Sequence, residues 1–310
     1  MYRKHVSVIG LLLLLSFPAA ANTYSIDGTS DIIGDFPGEA TYTHALKGDT
    51  LLDIARRFGL GQDEILLANP TVDRWLPKED TKVRLPTSYI LPKAPRKGIV
   101  LNIAELRLYY FPSGQPGTVV THPVSIGRQD WQTPLGTTRI VGKTKNPTWT
   151  PPESIKREHA EQGDFLPDVV PAGPDNPLGL YAMRLGIPGY LIHGTNKGFG
   201  VGMRVSHGCV RMYPEDIERL FPRVKIGTPV TIVNQPIKVG WYNDTLYIEI
   251  HPPLEEDALS YDQMVEMAID LIIAANKNMM PRVDGYALRQ ALIERQGVPI
   301  AILKRDNTLL

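Results

Sequence analysis

Hydrophobic and polar positions alternate most regularly just past residue 98. Ile99, Leu101 and Ile103 alternate with smaller or polar residues, a turn follows at Ala104-Glu105, and Leu106, Leu108 and Tyr110 alternate in reply. Period two on both sides of a turn predicts a β-hairpin. Further strands are predicted at 119–126, 137–141, 180–185, 190–193 and 230–233, each bounded by Gly, Pro or Asn. Six or more short strands with almost no helical period predict a sandwich or open barrel.

Two stretches depart from this pattern. From Tyr42 a short strand leads into Gly48-Asp49-Thr50, a turn with an N-cap, after which Leu51, Ile54, Ala55 and Phe58 recur at helical spacing. A second short helix over 62–68 stops at Asn69-Pro70, and Val83 and Leu85 form a strand closed by Pro86. Past Pro236, strands at 239–242 and 245–250 turn at Asn243-Asp244, and helices are predicted over 261–277 and 285–295. Met264, Met267, Ala268, Leu271 and Ile272 share one helix face, a stripe read as core. Residues 22–41 read as an extended leader, and 87–97, with Pro92 and Pro95, as a stiff linker. An insert over 146–177, with a short helix at 155–162, reads as a wall or lid carrying Trp149 as a contact surface, against the plainer reading of Trp149 as core. The expected units are 42–86, 98–234 and 235–310.

Composition narrows the partners. The chain of 310 residues carries 33 basic and 33 acidic side chains, so neither nucleic acid nor an anionic membrane is an expected partner, and the ligand is neutral or zwitterionic. Residues 1–21 hold a basic start, an apolar run and an Ala19-x-Ala21 site, which predicts a cleaved secretory signal and export to an oxidising compartment. No later stretch is apolar enough for a transmembrane span. Export gives the single cysteine, Cys209, a functional meaning, because unpaired thiols are exposed to oxidation outside the cytoplasm.

Cys209 stands in Ser206-His207-Gly208-Cys209-Val210-Arg211, and His193 ends an apolar strand sixteen positions earlier. A thiol needs a base to become a nucleophile, and a histidine on a rigid strand end supplies one; an adjacent imidazolium would also lower the thiol pKa. His207 is the competing base and takes a supporting role. The N–H groups of Gly208 and Cys209 are the cheapest oxyanion donors, and Arg211, on the same side as Cys209 by alternation, is a candidate for a substrate carboxylate. Ser206, Gly208, Arg211 and Trp149 are the substrate-side candidates. A zinc site from His193, His207 and Cys209 is disfavoured because paired ligand spacings are missing, and neither metal nor cofactor is expected.

His193-Gly194-Thr195 followed by Ser206-His207-Gly208-Cys209-Val210-Arg211 resembles the signature of the L,D-transpeptidase catalytic domain of YkuD type, and Thr133-Pro134-Leu135-Gly136 and Asn146-Pro147-Thr148-Trp149 fit the same family. Tyr42, Gly48-Asp49-Thr50-Leu51, Ile54-Ala55, Phe58, Asn69-Pro70 and Leu85-Pro86 resemble a LysM module, a binder of N-acetylglucosamine chains. The resemblance implies a mainly β protein: a β-sandwich catalytic domain, a small βααβ LysM-like domain and a C-terminal α+β extension. It implies that Cys209 attacks the diaminopimelate carbonyl of a peptidoglycan tetrapeptide stem, expels D-alanine, and passes the acyl group from thioester to an amine. That amine is another diaminopimelate or a lysine of an outer-membrane lipoprotein, with water as the alternative. By the same resemblance His193 is the base, the Gly194 carbonyl orients it, and carbapenems are inhibitors. A periplasmic thiol reductant is an expected partner, because Cys209 must stay reduced. The competing readings are a thiol carboxypeptidase using the same dyad and a non-enzymatic wall-binding protein.

Overall fold

The computed structural model describes residues 22–26, 30–35, 40–277 and 281–304, so the export signal expected at 1–21 lies outside the described residues. The chain enters through two strands where the sequence showed no period. β1 (Asn22–Ser25) pairs antiparallel with 118–121, and β2 (Ile32–Gly34) pairs with 88–90. The expected leader is therefore sheet edge; three- and four-residue strands are too short to display alternation.

Next come β3 (Thr41–His44), α1 (Leu51–Arg57), α2 (Gln62–Ala68) and β4 (Lys82–Leu85), with β3 and β4 antiparallel. Thr50 and Asp53 form a capping box that starts α1, a device worth about 1 kcal/mol. Leu51, Ile54, Ala55, Ile65, Val83 and Leu85 close a small core of their own. Asn69 ends α2 and ties it to β4: its side chain donates to the Ile65 and Arg84 carbonyls and accepts from the Arg84 N–H. β5 (Ser88–Ile90) occupies the stretch expected to be a stiff linker, with Tyr89, Ile90 and Leu91 buried. Pro86 and Pro92 bracket this short apolar run, and the run itself is core.

β6 (Gly98–Asn102) and β7 (Arg107–Phe111) form the predicted hairpin, followed by β8 (Thr118–Pro123), β9 (Ile126–Gly127) and β10 (Gly136–Lys145). The insert carries α3 (Glu153–Glu161). Then follow β11 (Tyr181–Leu185), β12 (Leu191–His193), β13 (Arg204–Ser206), β14 (Val210–Arg211), α4 (Pro214–Leu220) and β15 (Pro229–Val233). Nine strands join in one sheet, in the order β1-β8-β7-β6-β15-β10-β11-β12-β14. Val120 of β8 and Val210 of β14 nevertheless share one hydrophobic core. Ser125, just past β8, exchanges hydrogen bonds with Arg211 of β14 in both directions, at 2.8 and 2.9 Å. The fold is mainly β, and the expected sandwich is a single sheet curled until its far strands meet around Ile217 and Leu220 of α4.

The C-terminal stretch adds β16 (Ile237–Tyr242), β17 (Thr245–Ile250), α5 (Tyr261–Ala275), α6 (Gly285–Glu294) and β18 (Ile300–Lys304). Asn243 and Asp244 both take positive φ, the conformation of a two-residue hairpin turn. Met264, Ala268 and Ile272 pack on Leu246 and Ile248, so the methionine stripe is core. Among the described residues no helix is long and apolar enough to cross a membrane.

Buried charge fastens this stretch to the hairpin. The Lys238 ammonium donates to the Ile90 carbonyl (2.7 Å) and to Glu249 (2.7 Å), and also meets Glu105 from the β6–β7 turn. His251 reaches Glu249 at 2.7 Å, and the Tyr109 hydroxyl donates to Glu105 at 3.0 Å. Removing one partner would strand buried carboxylates without a counter-charge. Lys238→Ala is expected to lose about 3–5 kcal/mol of unfolding free energy by urea titration, and a loss below about 1 kcal/mol would contradict the assignment.

Candidate active site

β12 and β14 run parallel with Ile192 opposite Val210 and His193 opposite Arg211. Side chains alternate across a strand, so Ile192 and Val210 point into the core while Leu191, His193, Cys209 and Arg211 point together to the other face. All four line one cavity of about 650 Å³. His193 and Cys209 are thus diagonal neighbours on adjacent backbones. Their approach follows from strand register.

The backbone around Cys209 is held from several sides. Gly208 takes φ +95°, and a Cβ there would lie 2.7 Å from the Tyr190 ring, so only glycine fits. Thr133 Oγ1 accepts from the Gly127 N–H (3.1 Å) and donates to the Gly208 carbonyl (2.9 Å). Ser206, expected on the substrate side, is buried and donates its hydroxyl to the Cys209 carbonyl, so it braces the turn while also lining the cavity. Neither the Gly208 nor the Cys209 N–H meets a backbone acceptor among the described residues.

The insert forms one wall. Trp149 pairs by backbone with Val170 (2.9 and 2.8 Å), and the pair is clasped by fully buried Asn176, whose side chain donates to the Pro147, Val170 and Pro171 carbonyls. Trp149, Ile155, Leu166 and Val170 face the cavity, and Trp149 is half-buried there rather than in the core. Glu158 of α3 latches the wall to the cysteine turn: it accepts from His207 Nε2 at 3.0 Å and from Arg128 at 2.5 Å. His207 also stacks edge-on against Trp131, ring centroids 5.2 Å apart. His207 therefore joins the turn to the insert.

Residues 96–232 match the YkuD family, described as the L,D-transpeptidase catalytic domain. A protein of Escherichia coli K12 named probable L,D-transpeptidase YcfS is 39% identical over 300 residues, covering 94% of this chain and 92% of that one. The chain belongs to the L,D-transpeptidase family. A second relative, probable L,D-transpeptidase YbiS of the same strain, is 42% identical over 251 residues, 80% of this chain and 81% of that one. The NMR structure of the catalytic domain from E. faecium L,D-transpeptidase covers 46% of this chain and 99% of its own, at 22% identity and a TM-score of 0.34. Membership of this family makes the chain an enzyme, as the spaced histidine and cysteine motifs implied.

In this L,D-transpeptidase the electrostatics differ from the sequence expectation in one respect. Burial holds the His193 pKa down to about 4, with the Arg211 cation adding to the effect and the Gly194 and Leu178 carbonyls opposing it. Burial raises the Cys209 pKa, against the Leu191 N–H and the Arg211 charge. The resting pair is a neutral thiol and a neutral imidazole, where the sequence suggested a thiolate stabilised by imidazolium. The missing quantity was burial, which spacing does not reveal. His193 Nδ1 lies 2.6 Å from the Gly194 carbonyl, and because a carbonyl only accepts, Nδ1 carries the proton and Nε2 is left basic.

Arg211 Nε is buried without a hydrogen-bond partner, and no ion pair engages the guanidinium among the described residues. Glu158, Arg128 and Trp131 were not singled out from sequence; their roles arise from tertiary contact, and only the Glu158 position on a helix of the insert hinted at one. A neutral resting pair predicts that iodoacetamide alkylation of Cys209 accelerates steadily from neutrality to beyond about pH 9, since the thiolate reacts and its pKa is raised. A rate already on a plateau near pH 6 would mean an ion pair instead.

Proposed function

We propose that this L,D-transpeptidase acts on peptidoglycan tetrapeptide stems through a thioester on Cys209. The observation that carries the reading is the β12–β14 register, which turns His193, Cys209 and Arg211 to one cavity. Cys209 Sγ attacks the diaminopimelate carbonyl while its proton passes to His193 Nε2. Because the resting pair is neutral, this transfer accompanies attack. The N–H groups of Gly208 and Cys209 receive the developing oxyanion, and the oxyanion in turn stabilises the new imidazolium. The carbon–nitrogen bond to D-alanine then breaks, the leaving amine taking the proton from His193. An incoming amine attacks the thioester, gives its proton to His193, and expels the Cys209 thiolate, which the imidazolium reprotonates.

Arg211 binds a stem carboxylate, and its unpartnered buried Nε supports that role. Trp149 and the rest of the insert cover the thioester and keep water from it. The acceptor is a second diaminopimelate amine or a lysine of an outer-membrane lipoprotein. The βααβ order of 42–86 and its separate core support a LysM-like unit that holds glycan beside the catalytic unit, 98–234, with 235–310 as an extension. The apolar start at 1–21 supports cleavage on export and a periplasmic location, where a thiol reductant keeps Cys209 reduced.

Incubation of the mature protein and of Cys209→Ala with disaccharide-tetrapeptides, followed by intact mass, tests the reading. Cysteine-dependent loss of alanine with a cross-linked dimer is expected. Cysteine-dependent tripeptide without dimer would point to a carboxypeptidase, and no change in either sample to a binding role. Releasing the insert should admit water, so Glu158→Ala is expected to raise the ratio of tripeptide to dimer by about threefold or more. An unchanged ratio would separate the latch from acceptor choice.

A further inference from the structure

The loop between the two reactive residues is held by a part of the chain far from either. Residues 198–202 connect His193 of β12 to β13 and the cysteine turn. The first turn of α2 in the βααβ unit donates into this loop twice: Gln62 N–H to the Val201 carbonyl at 3.1 Å and Asp63 N–H to the Gly202 carbonyl at 3.0 Å. The approach requires glycine on both sides. A Cβ on Gly202 (φ +87°) would sit 2.3 Å from Gln62 N, and one on Gly61 would sit 2.9 Å from Gly202 Cα. From the opposite side Ser125 Oγ donates to the Gly200 carbonyl at 2.6 Å, and the Ser125 backbone is paired with Arg211. Val201 between these anchors is fully buried.

Two ion pairs fasten the same unit around the loop. Buried Arg107 of β7 meets half-buried Glu64 of α2 at 2.6 Å, reaches the Gly59 carbonyl at 3.3 Å, and stacks on Tyr89. Arg56 of α1 grips Glu215 of α4 through two hydrogen bonds of 2.7 and 2.8 Å, and its guanidinium lies against Gly198. Tyr213, the residue before α4 and just after the cysteine strand, donates its hydroxyl to the Leu60 carbonyl at 3.3 Å. A unit on a loose tether has no use for contacts of this kind.

We propose that the βααβ unit is a positioning element of the active site, with Gly61 and the first turn of α2 clamping the 198–202 loop so that His193 and Cys209 keep their mutual placement. Glycan held by the unit is then oriented relative to the thiol by a rigid contact. The inference rests on the His193–Cys209 dyad proposed above.

The test compares the full-length wild type with Gly61→Ala, which adds one methyl group at the contact and removes no ion pair, and with Asn69→Ala, which loosens the unit away from the loop. Carbapenem acylation of Cys209 reads the placement of the dyad; iodoacetamide alkylation at high pH reads the thiol alone. Gly61→Ala is expected to slow acylation about tenfold while alkylation stays within about twofold, as misplacement of a positioned pair costs rate and leaves the nucleophile intact. Asn69→Ala is expected to lower Tm and keep the wild-type acylation rate. Acylation of Gly61→Ala at the wild-type rate, or an equal slowing in Asn69→Ala, would overturn the clamp. Should Gly61→Ala not fold, Arg56→Ala takes its place, with slower acylation at unchanged Tm expected and a wild-type rate overturning the inference. A wild type that carbapenem does not acylate at Cys209 would overturn the dyad itself, and the clamp with it.

Discussion

Everything at the active site depends on a short parallel pairing, β12 with β14. Two facing pairs, Ile192 with Val210 and His193 with Arg211, decide which side chains enter the cavity and which enter the core. A slip of β14 by one residue would turn Cys209 and Arg211 inward and Val210 outward, parting the thiol from the imidazole of β12. So short a strand cannot hold its register alone. It is held by the apolar demand of Ile192 and Val210, by the exchange between Ser125 and Arg211, by the Met212 N–H on the His193 carbonyl, and by the hydroxyls of Ser206 and Thr133. The surrounding hydrogen bonds do for this strand what length does for others.

The same burial that secures the register sets the chemistry. His193 and Cys209 sit where charge is disfavoured, and Arg211 adds a positive field that further disfavours the imidazolium. The proton therefore rests on sulfur and the neighbouring imidazole is neutral. For the single thiol of the chain this has a protective side, because oxidants attack thiolate faster than thiol.

How much of this was legible in the sequence depended on the range of each interaction. Alternation over five residues made the β6–β7 hairpin readable, and the Asn243-Asp244 turn fell where two positive φ angles occur. The βααβ order was readable because Thr50, Asn69 and Pro70 punctuate it locally. β1, β2 and β5 were missed because three or four residues carry no period, and β18 because its partner lies fifty residues upstream. That Cys209, His193 and Arg211 would meet at one cavity was legible from residue chemistry and motif. Glu158 was not, since its meaning comes from the Arg128 and His207 it meets, both distant in sequence. Charge state was equally out of reach.

The strand order also governs how the protein comes into being. β6, near the start of the main sheet, lies beside β15, with Ile99 facing Val230, and the closing contact joins Ser125 to Arg211. Pairings so distant in sequence form late, because a long loop must be closed before any of them contributes. The main sheet must therefore stay open until residues beyond 230 are available. Until that closure Cys209 and His193 lack the burial that sets their charge states, so the neutral pair and the completed fold arrive together.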